Sequence, residues 1–188
     1  MTSFAPQSQI NNLLKSLAFK GVPRFQVPRQ YRSWLFDSGS LTKRLVRATG
    51  GDFRVELVRQ THAPMWADEQ QALTSPPRTL PLIREVYLIC NGEPWVFART
   101  VIPRSTESGS GRYLTKLGNK PLGVALFNDP NINRGPIFVK QLRKSVQGRQ
   151  EMSATNDLWG RHSCFYLSGE PLLVSEYFLP ACPMYQSD

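Results

Sequence analysis

The sequence predicts a single α+β domain built around an antiparallel sheet. Two segments, REVYLICNGEPWVFARTVIP (84–103) and RHSCFYLSGEPLLVSEYFLP (161–180), superimpose at a constant offset of 77 residues (161 minus 84). Each is an apolar run, a turn built on Gly and Pro, then a second apolar run, which is a β-hairpin pattern. Between and before the hairpins lie stretches whose apolar spacing fits helices. Hairpins with helices inserted between them define an α+β domain rather than a parallel βαβ arrangement. A length of 188 residues suits one domain, 1–188, with residues 1–30 as an N-terminal arm.

The elements follow in order. Residues 12–19 suggest a short amphipathic helix within the arm. From 31 to 47, Trp34, Leu35, Leu41, Leu45 and Val46 fit helical spacing, broken at 37–40, and Ser40 is placed to cap a second helix at Leu41. Residues 53–58 alternate, with Phe53, Val55 and Leu57 on one face and Arg54 and Glu56 on the other, as in a half-buried strand. Four prolines (Pro64, Pro76, Pro77, Pro81) make 62–81 a connection with one helical turn. Residues 113–127 and 137–147 read as helical in part, separated by an Asn/Asp/Pro/Gly-rich loop at 128–136.

Composition bounds the chemistry. Hydrophobic residues are 40% and charged residues 20% of the chain, ordinary for a globular core. No run approaches the roughly 18 apolar residues of a membrane span, and the N-terminus lacks a secretory-signal pattern, so a soluble cytoplasmic protein is expected. Cys90, Cys164 and Cys182 are odd in number and widely spaced, and the histidines are His62 and His162 alone. Three reduced thiols and no metal site are expected.

Net charge is +9, and residues 99–149 hold ten Lys or Arg against Glu107 and Asp129. Such a field attracts anions, whether nucleic acid, a membrane surface or a small dianion. Trp34, Trp66, Trp95 and Trp159 are not interleaved with basic residues as in a stacking platform, so they read as core or lid packing and no nucleic-acid partner is expected.

Alternation isolates two residues. Arg84 shares a strand face with Leu82, Val86, Leu88 and Cys90, and Glu176 shares one with Leu172, Val174 and Phe178. A charge held away from water costs several kcal/mol unless paired and hydrogen-bonded. These two therefore face a ligand or each finds an internal partner. At the offset of 77, Arg99 stands where Glu176 does and Arg161 where Arg84 does, so an internal Glu176–arginine pair competes with the ligand reading.

Several stretches in register resemble the chorismate pyruvate-lyase family: Ser40-Leu41-Thr42-Lys43-Arg44, Leu82-Ile83-Arg84-Glu85, Leu117-Gly118-Asn119-Lys120-Pro121-Leu122-Gly123, Leu158-Trp159-Gly160-Arg161, and the hairpin ends at 99–103 and 176–180. The resemblance implies an antiparallel sheet of about six strands with helical flaps closing over a buried ligand site. It implies cofactor-independent cleavage of chorismate to 4-hydroxybenzoate and pyruvate, toward ubiquinone, by a monomer. It further implies that Arg84 binds the ring carboxylate, that Glu176 contacts the ring hydroxyl, and that Leu41 and Leu122 add contacts largely through the backbone. Leu41 departs from the methionine often found there in the family. Arg99 or Arg161 is the candidate for the substrate's second carboxylate.

Overall fold

The computed structural model describes residues 21–76, 78–142 and 158–186. The helix read at 12–19 and the stretch 143–147 lie outside them. Helices α1 (Arg29–Leu35) and α2 (Leu41–Ala48) precede strand β1 (Phe53–His62). The break between the helices falls where the spacing predicts it. Ser40 is extended, and its hydroxyl accepts from the Lys43 amide at 3.4 Å, satisfying one of the amides a helix start leaves unpaired. The expected turn of helix in the proline-bearing connection is α3 (Ala67–Ala72).

Both hairpins form as the repeat requires. Strands β2 (Leu82–Cys90) and β3 (Glu93–Ile102) make the first, and β6 (Leu158–Leu167) and β7 (Glu170–Phe178) the second. Their turns match residue for residue. Asn91 and Gly92 have φ of 50° and 78°, and Ser168 and Gly169 have 49° and 89°. Two central residues at positive φ give the turn twist that suits a two-residue hairpin.

Between the hairpins run α4 (Arg104–Ser108), a 3₁₀ turn (Arg112–Lys116), α5 (Leu122–Asn128), β4 (Ile132–Arg134) and β5 (Phe138–Leu142). Here the pattern misled. Residues 138–142 are a strand and not helix, and the 128–136 loop contains β4. The two short strands lie end to end along β6, with β4 against 165–167 and β5 against 158–162. They form one edge interrupted at Gly135-Pro136. Proline has no amide to donate and is tolerated at such an edge break. Five residues whose burial does not alternate cleanly carry too little periodicity to tell strand from helix.

All pairings are antiparallel, in the order β1-β2-β3-β7-β6-β4 with β5 also on β6. The sheet therefore has seven strands rather than about six. β2 is buried on both faces, which is why its sequence reads as a continuous apolar run. One face carries two apolar clusters. The first packs Leu35, Leu41 and Leu45 on Val55, Val86, Leu88 and Phe178; the second packs Leu114, Leu122 and Leu126 on Leu82, Phe165, Leu172 and Val174. The opposite face is covered by α3 and its flanks, through Trp66, Met65, Ala72 and Leu73. Trp66, Trp95 and Trp159 are buried, and all three cysteines are free thiols. Among the described residues no helix is long and apolar enough to cross a membrane.

Candidate functional site

Where the two apolar clusters meet, a cavity opens between the sheet and helices α2 and α5. Leu41, Thr42, Arg84, Val86, Ala98, Thr100, Leu122, Gly123, Phe165 and Glu176 are among its walls. All four residues named from the sequence, Leu41, Arg84, Leu122 and Glu176, thus line one chamber. Strand register explains how. Arg84, Thr100, Val174 and Ser163 form one row across the sheet, and Val86, Ala98, Glu176 and Arg161 form the next. Residues directly opposite in paired strands share a face, so both rows look toward the helices.

Arg84 is 2% exposed. Its Nη2 donates to the carbonyls of Gly118 (2.9 Å) and Lys120 (3.0 Å), while its buried Nε has no acceptor. No carboxylate among the described residues pairs with it. Burial draws its pKa down to about 10, so it stays cationic at neutral pH at a desolvation cost. A buried N–H without a partner requires an explanation, and an anion in the cavity supplies one. The loop holding Arg84 is itself anchored to β1, because Asn119 Oδ1 accepts from the Leu57 amide at 3.1 Å and Gln60 Nε2 donates to the Thr115 carbonyl at 2.7 Å.

Glu176 answers both readings of the alternation. It accepts from Arg161 Nε at 2.6 Å and also lines the cavity, with its side chain 17% exposed. Arg161 further donates from Nη1 to the carbonyls of Trp34 (2.9 Å) and Asp37 (2.8 Å). It joins the α1–α2 junction to the acid through Nε and Nη1.

Arg99 lies on the other face of the sheet. Its Nε and Nη2 donate to Glu69 at 2.6 and 3.0 Å, its Nη1 to Glu85 at 2.6 Å, and its Cζ stands 4.0 Å over the Trp66 ring. Burial alone would lower its pKa, but Glu69 and Glu85 override that and hold it above the ordinary arginine value. Arg99 is therefore no candidate for a second ligand carboxylate, which corrects that expectation, while Arg161 gives its Nε to Glu176 and its Nη1 to two carbonyls. Sequence reasoning also passed over Thr100, whose only signal was its place beside Arg84, and the Thr42–Gly123 contact, which had none.

The chamber is tight. Its free volume is about 40 Å³, room for a few waters, whereas a cavity of about 150 Å³ is what holds a benzene-sized ring. A ring-sized ligand enters only if α2 and α5 part. They touch at Gly123, where an added Cβ would sit 2.6 Å from Thr42 Oγ1 and 3.4 Å from Ser40 Oγ.

A seven-stranded antiparallel sheet with helices over a chamber lined by a buried arginine and a glutamate defines the class, an α+β domain with an enclosed candidate site. The fold is shared with the crystal structure of PhnF from Mycobacterium smegmatis (TM-score 0.54, 13% identity, 92% of this chain and 93% of that one) and with the effector domain of PhnF (TM-score 0.53, 14% identity, 76% and 89%). At such identities the likeness speaks for the fold alone. Sequence comparison is more specific. The family model described as chorismate lyase matches residues 19–188. Proteins named "Probable chorismate pyruvate-lyase" are 44% identical in Pseudomonas aeruginosa (79% of this chain, 82% of the relative) and 39% identical in Marinobacter nauticus (92% and 87%). The chain belongs to the chorismate lyase family.

Proposed function

We propose that this chain is a chorismate pyruvate-lyase, cleaving chorismate to 4-hydroxybenzoate and pyruvate without a cofactor. The observation that carries the reading is Arg84, a nearly dry guanidinium with no acid partner among the described residues, in one cavity with Glu176. The ring carboxylate of chorismate accepts from Arg84, and Glu176 takes a hydrogen bond from the ring hydroxyl. The apolar walls Val86, Leu122 and Phe165 hold the ring and exclude water. The bond between the ring carbon and the side-chain oxygen breaks, its electron pair leaving with that oxygen. The hydrogen on the carbon bearing the hydroxyl leaves as a proton taken up by the Glu176 carboxylate, the ring becomes aromatic, and the enolpyruvyl fragment receives that proton at its methylene carbon to become pyruvate. Arg161 holds the Glu176 carboxylate in place for this step. The same reading makes the protein a cytoplasmic monomer acting toward ubiquinone.

The direct test mixes purified protein with chorismate in metal-free buffer and follows 4-hydroxybenzoate by its ultraviolet absorbance. No product above the uncatalysed rate removes the assignment. Glu176→Gln keeps the shape and removes the charge. Its kcat is expected to fall at least about a hundredfold, the low end for a group that assists proton transfer, with 4-hydroxybenzoate binding little altered. Unchanged turnover would take Glu176 out of the chemistry.

The flap contact makes a further expectation. Gly123→Ala forces α2 from α5, and overpacking of this kind costs about 1–3 kcal/mol. In the closed state that corresponds to roughly 5- to 150-fold weaker retention of 4-hydroxybenzoate, measured by stopped-flow release. Adding Thr42→Ala removes the clashing oxygen and restores retention; failure to restore it would place the effect elsewhere.

A further inference from the structure

Charge around Glu176 does not balance. Arg161 pairs with Glu176 at 2.6 Å, and Arg44 pairs with Asp37 at 3.2 Å. Among the described residues two guanidinium groups there are left without an acid. One is Arg84. The other is Arg134, the last residue of β4, which faces Phe165 across the β4–β6 ladder. Arg134 and the cavity-lining Phe165 therefore project from the same side of the sheet, and the Arg134 Cζ lies 5.2 Å from the Phe165 ring centroid.

Among the described residues, neutral oxygens alone hold Arg134. Its Nε donates to Ser163 Oγ at 3.1 Å and its Nη1 to the Ser38 carbonyl at 3.0 Å. No carboxylate among the described residues forms an ion pair with it. Burial is the main reason that its pKa falls below the ordinary arginine value, and Glu176, Arg161 and Asp37 are the charges that it feels. Ser163 stands in the same cross-sheet row as Arg84. The two unbalanced cations thus flank the chamber, one from the β2 side and one from the β4 edge, with Glu176 on β7 between them.

We infer that Arg134 is a second anion-binding residue of this site and takes the carboxylate of the enolpyruvyl side chain. The inference rests on the lyase reading for the identity of the ligand. Two uncompensated cations match a substrate with two carboxylates; Arg99 lies on the far face of the sheet between two acids, and the charge of Arg161 is already balanced by Glu176. Arg134 also touches the Ser38 carbonyl between α1 and α2, so capture of the side chain occurs where the α2 flap is anchored. The product 4-hydroxybenzoate has lost that carboxylate and no longer engages Arg134, which helps the product leave.

The experiment compares two ligands on the full-length protein, by calorimetric titration. One is 4-hydroxybenzoate. The other is its derivative with a carboxymethoxy group beside the hydroxyl, a stable dianion that carries the second carboxylate. Arg134→Gln is expected to weaken the dianion by about thirty-fold or more, the low end for removing one partner of a buried charge pair. Binding of 4-hydroxybenzoate should stay within about threefold, and kcat/KM for chorismate should fall alongside dianion affinity. Arg134→Lys keeps the charge and should recover part of the loss, which a merely structural role would not predict. Equal weakening of both ligands, or of neither, overturns the inference. If the wild-type protein leaves chorismate intact while Arg134→Gln still loses the dianion selectively, the lyase reading falls and the second anion site stands.

Discussion

Replacing Arg84 with methionine is expected to abolish useful activity while leaving the fold close to its original stability. Truncating one partner of a buried charged contact costs about 2–5 kcal/mol, so kcat/KM for chorismate should fall roughly thirty-fold to several thousand-fold. Binding of 4-hydroxybenzoate should weaken in proportion, since its one carboxylate is the group lost. Stability behaves differently. The wild-type side chain is a dry cation with, among the described residues, no partner for its Nε and no acid beside it, and removing it ends that desolvation cost. Against this stands the loss of donors to the Gly118 and Lys120 carbonyls, worth about 1–3 kcal/mol if both stay dry. These terms oppose each other, and the melting temperature should move by a few degrees at most. Thermal melting beside steady-state kinetics checks both halves. A large drop in melting temperature would make Arg84 a structural residue.

Arg99→Met should do the reverse. This guanidinium is as buried as Arg84 but donates to two carboxylates, Glu69 and Glu85, which are themselves 1% exposed. Methionine would leave Glu69 with only the Trp66 amide at 2.8 Å and Glu85 with only Arg59. Breaking a buried pair by removing one member costs about 3–5 kcal/mol, because the remaining charge stays unpaired. For a chain of this size that is roughly a 6–20 °C fall in melting temperature. The residue lies on the face away from the cavity, so at temperatures where the variant is folded its KM should stay near the wild-type value. A variant that melts normally would show that the carboxylates relax or take up protons without cost.

The contrast between these two arginines marks how far the chain could be read in advance. Period-two alternation is local, and it alone placed Arg84 and Glu176 among apolar neighbours on one face. The repeat at 77 residues located both hairpins, and turn chemistry at Asn91-Gly92 and Ser168-Gly169 supplied the backbone that they need. Ser40 announced the start of α2. What failed was also local in kind: residues 138–142 are too few for their spacing to separate a strand from a helix, and only pairing with β6 makes them one.

The sequence by itself determined the hairpins, the capped helix and the placing of Arg84 and Glu176 among apolar neighbours, because each depends on residues a few positions away. The tertiary structure alone decided that Glu69, Glu85, Arg99 and Arg161 are also buried and which charges found a partner. Glu69 reaches Arg99 from thirty residues earlier, Arg161 meets Glu176 on the neighbouring strand, and Arg84 meets no acid among the described residues. A charge in a dry interior is governed by what stands within a few ångströms in space, and proximity of that kind is not written in the order of the chain.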